Sequence, residues 1–498
     1  MKTLGCNPYL PSWEFVPDGE PHLFDGRVYI YGSHDRAGAG AFCVEDYVCW
    51  SAPAGDLGNW RCEGIIYRRE QDPINGAPYD KKIPEYDSAF STGEAHLLYA
   101  PDVVKGPDGR YYLYYSLDFT NIISVAVCDT PAGQYEFLDY VAREDGSRPN
   151  VGRWFDPAIL SEDGGNYLYY GFCPPERFPG MEDLDIPGSM MVRLADDMHT
   201  VISEPVCVAN GCDTAKGTSY EAHPFFEASS IRHYGDWYYL VYSSLQGHEL
   251  CYGMARGPEG PFEYKGVIHS NGDLGYQGNE QAVNYTGNNH GGLVQVDGDY
   301  YIFGHRHTHG TAFSRQGVAE KVVMLEDGTI PQAEMTSCGL NGGPLPAKRK
   351  YQTYIACHLT EGDRTKVGQV VMTGPGGGTL KLPEEMPYIT EEPCESKDAG
   401  LRPYICNMRK GAVCGFKYLA FEGDESRVRI LVRGKGSMGI CVDTPDGKII
   451  GSVVCQGETA DWEQAEIPFG DDRKLEGSHA VYFRILDGRL DFAEFEVR

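Results

Sequence analysis

Polar turn dipeptides followed by apolar runs recur along the first three hundred or so residues. The copies are DGRVYIYGS from Asp25, DGRYYLYYS from Asp108, DGGNYLYYG from Asp163, YGDWYYLVYS from Tyr234 and DGDYYIFGH from Asp297. A repeat of this kind decides the fold before any single element does. Glycine accepts positive φ in a hairpin turn, and the Tyr, Ile, Leu, Val and Phe after it suit a strand packed on both faces. Each copy therefore predicts the second strand of a hairpin. Aligned on Gly26, Gly109, Gly164, Gly235 and Gly298, the copies are separated by 83, 55, 71 and 63 residues. Every gap has room for a four-stranded antiparallel sheet. Such sheets repeated around an axis make a propeller, which leaves only short sheet edges. The expected class is all-β, a five-bladed β-propeller; a flat sandwich fits the irregular spacing less well.

The strand before each turn carries the candidate chemistry. Asp18, Asp156 and Glu227 each lie eight residues upstream of their turn glycine, His290 stands at the same place in the fifth copy, and Asp102 lies seven upstream of Gly109. In a propeller the first strand of each blade lines the axis, so these five side chains are expected to converge at one mouth of the channel. Singly, an Asp before Pro or Gly only caps a turn. The shared register is what points to a site, because gathered carboxylates repel one another unless a function or a cation holds them.

Composition narrows the partners. The chain has 498 residues, too many for one ordinary domain, and 41% of them are apolar, with 34 tyrosines. The formal net charge of -29 excludes nucleic acid and anionic membrane surfaces, which would repel it. No segment approaches the roughly 18 apolar residues of a membrane helix. The N-terminus MKTLGCNPYLPSWEF has no apolar h-region. The sixteen cysteines are scattered without CxxC pairs, which fits reduced thiols. A cytoplasmic location is expected.

Two carboxyl groups across a pocket, one ionised and one protonated, are what glycoside hydrolysis uses. Burial and neighbouring negative charge keep the acid protonated, and aromatic rings stack on sugar C–H faces. The segments PDGEPHLFDGRVYIYGSHD, YAPDVVKGPDGRYYLYYS, FDPAILSEDGGNYLYYG, FEASSIRHYGDWYYLVYS and NNHGGLVQVDGDYYIFGHRH resemble the five blade signatures of family 43 glycoside hydrolases, over roughly residues 7 to 335. The resemblance implies an inverting enzyme removing xylose or arabinofuranose from oligosaccharides, with Asp18 as base, Asp156 tuning and orienting, and Glu227 as acid. Ala228 stands where the family often has glycine. The resemblance further implies Tyr99 as a sugar platform, Asp102 in support, Arg306 toward substrate, and His290 as contact of a water-clad calcium ion. In HRHTH, alternation along a strand puts His305, His307 and His309 on one face, which reads as pocket lining before it reads as zinc. Glu221 is the second choice for the acid. Two rivals stay open: a retaining fructan hydrolase, whose NDPNG-like motif is missing, and a sugar-binding propeller without catalysis.

The rest of the chain changes pattern. The propeller is expected over residues 1–340, a connector packing on it over 341–385, and over 386–498 alternating strands (VRILVRG, MGICVDTPDGKIIGSVV, WEQAEIPF, HAVYFRIL, DFAEFEVR) that predict a β-sandwich. Its order is similar to family 6-type carbohydrate-binding modules, and Trp462 is its candidate sugar contact.

Overall fold

The computed structural model describes residues 3–85, 95–177, 181, 183–362, 369–374, 377–381, 386–394, 400–457, 461–470 and 474–498. The turn-plus-strand units become the second strands of five antiparallel sheets: Arg27–Tyr31, Tyr111–Leu117, Gly165–Tyr170, Trp237–Ser244 and Asp299–His307. Each pairs with the strand before its turn, and these inner strands are Glu20–Phe24, Leu98–Lys105, Ala158–Glu162, Phe225–Tyr234 and Leu293–Val296. We call the sheets blades I to V.

Blades I to IV have four strands and blade V has three. The N-terminal segment lies against the outermost strand of blade V, Arg315–Val322: the Tyr9 N–H donates to Gly317 O at 3.4 Å, and the Asn7 amide exchanges two hydrogen bonds with the Ala319 main chain at 2.9 and 3.0 Å. Gly19 and Gly291 join the inner strands of blades I and V in parallel, which closes the ring.

Continuous apolar runs are required because each sheet is covered on both faces. Five side-chain clusters fill the five gaps between successive blades. Tyrosine serves there because its ring is buried while its hydroxyl finds an acceptor. Tyr31 donates to Pro131 O at 2.7 Å and Tyr115 to the Asp72 carboxylate at 2.6 Å.

The remaining third curls into one large sheet of ten strands. VRILVRG and MGICV are not two strands but one, Arg427–Val442, and HAVYFRIL and DFAEFEVR likewise fuse into Glu476–Val497. The two pair along most of their length, with register shifts at Leu431/Val432 and Ser437/Met438. Glycines that read as breaks act as bends. A side chain on Gly488 would meet Lys435 O at 2.3 Å, so only glycine permits this approach. Part of the stretch expected as a connector is woven into this sheet, while Gln369–Gly374 and Gly377–Lys381 form a separate two-stranded sheet. Leu345–Pro346 and His358–Thr360 pair with Val413–Glu422, and Lys350–Gln352 pairs with Glu476–Val497. Residues 363–368, 375–376 and 382–385 of that stretch lie outside the described residues.

Candidate active site

Asp18 and Asp156 stand two residues before their inner strands in left-handed backbone, φ 57° and 47°, a conformation Asp tolerates better than most residues. Glu227 is the third residue of its strand. A bulge follows it, with Ala228 at φ 68°. Glycine would sit there unstrained; the methyl group of alanine is accommodated at a cost. The Ala228 N–H donates to Asp156 Oδ2 at 3.1 Å, which couples the acid's strand to the second aspartate.

The shared register converges as expected. His290 Nδ1 lies 3.8 Å from Asp18 Oδ1 and 3.8 Å from Asp156 Oδ2. Burial, then the charges of Glu227 and Asp18, hold the Asp156 carboxyl well above the usual range. Glu227 is part-buried. Its pKa is raised to about 8 by desolvation and then by Asp18, with Arg315 opposing. A carboxyl group so placed holds its proton at neutral pH.

Sequence reasoning missed Arg315. It donates from Nη1 to both Asp18 oxygens at 3.0 and 3.2 Å, and from Nε and Nη2 to Asp35 at 2.8 and 3.0 Å, with the Phe42 ring 4.7 Å from its carbon centre. The signal was available. Arg315 pairs directly across from His307, so it shares the face of His305 and His307. Arg306 lies on the opposite face. It donates to Ala356 O at 2.7 Å, to Tyr354 O and to Gln316 Oε1 at 3.0 Å, so it ties the chain after blade V to the propeller and does not reach substrate.

Of the histidine run, His305 and His307 face inward. The Asp18 N–H donates to His305 Nδ1 at 3.3 Å, and His307 Nε2 pairs with Asn288 Oδ1 at 2.9 Å. Burial drives both pKa values down, His307 to about 3. The strand ends at His307, so His309 leaves the alternation and turns to Glu391 at 2.9 Å. Glu221 is exposed and accepts from Gly217 N–H in its own loop. Tyr99, part-buried, begins an aromatic arc that continues through Phe155, Phe172 and Phe226 with centroid steps of 5.8, 5.5 and 5.2 Å. Phe155 and Phe226 immediately precede Asp156 and Glu227.

Asp102 lies deeper. One residue off the common register, after a bulge between Tyr99 and Asp102, it is fully buried one layer below the mouth. Its Oδ1 accepts from Val103 N–H at 2.8 Å and meets His22 Nε2 at 2.7 Å, and its Oδ2 accepts from Ile159 N–H at 2.9 Å. It therefore braces strands and does not reach a sugar. Glu20, His22 and Asp102 present donor atoms within 4.8 Å of one another. Calcium takes about six to eight oxygens at roughly 2.3–2.6 Å. Here the Asp102 oxygens are committed, and Glu20 Oε2 is held by Arg232 at 2.7 Å and Ser230 at 2.9 Å. Of this trio's carboxylate oxygens, only Glu20 Oε1 is without a partner. The donor set does not fit calcium.

Asp18, Asp156 and Glu227 around one mouth, with the carboxyl groups of Asp156 and Glu227 held above their usual range, are the parts of a glycosidase. Residues 24–330 match the glycosyl hydrolases family 43. The chain is 47% identical over 494 residues to a xylosidase/arabinosidase of Thermoclostridium stercorarium, covering 97% of this chain and 96% of that one. The chain belongs to glycosyl hydrolases family 43. A xylosidase/arabinosidase of Bacteroides ovatus is 30% identical, over 60% of this chain and 87% of its own. Among solved structures, a family 43 β-xylosidase/α-arabinofuranosidase from a compost metagenome, in complex with xylotriose and calcium-free, superposes with a TM-score of 0.50 at 23% identity. That match covers 67% of this chain and 98% of that one and bears on the fold. This family 43 protein is a glycosidase.

Proposed function

We propose that the enzyme removes terminal xylose or arabinofuranose units from short oligosaccharides with inversion. The observation that carries this is the cluster itself: Asp18, Asp156 and Glu227 at one mouth, with Asp18 clamped by Arg315 and Glu227 raised to about 8. Glu227 donates a proton to the departing glycosidic oxygen. Asp18, its charge compensated by two hydrogen bonds from Arg315, takes a proton from the attacking water on the opposite face of the ring. Asp156 accepts from the Ala228 N–H, which fixes the acid's strand. Tyr99, Phe155 and Phe226 offer ring faces to the sugar.

Short substrates and terminal attack follow from the cytoplasmic location expected of the chain, since polymers do not enter the cell. Calcium has no part in this reading, because three of the four carboxylate oxygens of Glu20 and Asp102 already have partners. The test is a screen of nitrophenyl glycosides. Release from β-xyloside or α-arabinofuranoside, lost in Asp18→Asn, supports the proposal; a panel left intact by the wild type sinks it.

A further inference from the structure

The layer beneath the catalytic acids contains a group that the mechanism does not use. Arg232 lies five residues past Glu227 on the inner strand of blade IV, and Glu20 lies two past Asp18 on that of blade I. The guanidinium is buried, and its polar contacts reach blades V and I. Nη2 donates to Glu20 Oε2 at 2.7 Å and to Pro21 O at 2.9 Å, and lies 3.3 Å from His22 Nε2. Nε donates to Leu293 O of blade V at 2.9 Å, and Nη1 to Ile231 O of its own strand at 2.7 Å. From His22 the chain of contacts continues to Asp102 of blade II at 2.7 Å, and from Asp102 to the Ile159 N–H of blade III at 2.9 Å. All five inner strands are joined through a chain of three side chains, Arg232, His22 and Asp102. A guanidinium can anchor that chain because its planar fork of five donors stays charged when buried.

We infer that Arg232 is the resident cation of the channel. Through His22 and Asp102 it links the five inner strands, it balances Glu20 and Asp102 where a hydrated divalent ion would otherwise do so, and it thereby makes turnover independent of added metal. This rests on the three-acid reading only for its effect on rate. Arg232 touches no substrate; it is a positioning residue whose loss spreads the strands that carry Asp18 and Glu227. A misplacement of about 1 Å in such a site costs on the order of a hundredfold in turnover.

The test compares wild type and Arg232→Gln in calcium calorimetry and in aryl pentoside kinetics, after exhaustive chelation and again with calcium restored. The wild type is expected to bind no calcium and to keep kcat and KM unchanged by chelator. In Arg232→Gln, kcat falls by about a hundredfold with KM nearly kept, calcium binding appears, and calcium restores part of kcat. Arg232→Lys, which keeps the charge without the fork, falls between the two. Calcium binding to the wild type accompanied by regained turnover overturns the inference. So does an Arg232→Gln variant that takes up no calcium or turns over like the wild type. If Arg232→Gln does not fold, wild-type calorimetry and chelation decide alone. A wild type inactive on every pentoside overturns the functional reading and leaves the calorimetric result standing.

Discussion

Removing the Arg315 guanidinium should be costly, and costly in a pH-dependent way. In Arg315→Gln, Asp35, fully buried, loses two direct hydrogen bonds and Asp18 loses its clamp. Breaking a buried pair by deleting one partner costs about 3–5 kcal/mol, because a charge is left uncompensated. Burial already raises the Asp35 pKa against the pull of Arg315; without Arg315 it rises further. A carboxyl group whose folded pKa lies above its unfolded value, about 3.9, favours folding at low pH. That contribution is lost as pH rises through the folded pKa. The variant's deficit should therefore be largest near neutral pH and shrink on acidification, by up to about 1.4 kcal/mol per pH unit for one group. Urea unfolding at pH 7 and pH 5, followed by tryptophan fluorescence, reads both numbers. A deficit below about 1 kcal/mol, the size of an exposed ion pair, or one equal at both pH values, would refute the reasoning.

Three further outcomes follow from the same geometry. Glu227 must be protonated to act, and its pKa is raised to about 8, so kcat/KM should fall on the alkaline side from about that pH; a profile flat to pH 10 contradicts this. Glu227→Ala should lose roughly 10²–10⁴-fold on glycosides with poor leaving groups and far less on activated aryl glycosides, and equal losses on both would remove it from the acid role. Beside the C-terminal sheet Trp462 is part-buried and already engaged: its Nε1 donates to Glu392 at 2.6 Å, the Arg433 guanidinium lies 4.5 Å from its ring and that of Arg402 5.5 Å. Trp462→Ala should leave oligosaccharide affinity unchanged in calorimetry, and weakened binding would give that sheet a sugar site.

The propeller was legible because one turn-plus-strand unit recurs five times, and the eight-residue register placed Asp18, Asp156, Glu227 and His290 together before any coordinates. Where the register slipped, so did the reading. Asp102 at seven residues is bulged into the layer below, and no pattern in a single sequence announces a bulge. Arg306 is placed toward substrate by the family resemblance, although strand alternation turns it to the far face. Arg315 is reached only across a hairpin loop, where pairing, not proximity, decides the face. In the last third, glycine was read as punctuation. Gly434 and Gly488, both at positive φ, bend two long strands without ending them, so the five expected segments became four strands. Arg232 carried no signal in its own neighbourhood, since its partners outside its strand come from blades I and V.

The central claim is that the acids flank one sugar ring and deliver water to the face opposite the leaving group. Proton NMR of the first turnovers on a β-xyloside, or on an α-arabinofuranoside if only that is cleaved, tests it most directly. The account predicts that the first sugar released has the anomeric configuration opposite to that of the bond cleaved. A first product that keeps the original configuration would mean a covalent intermediate and a different role for Asp18.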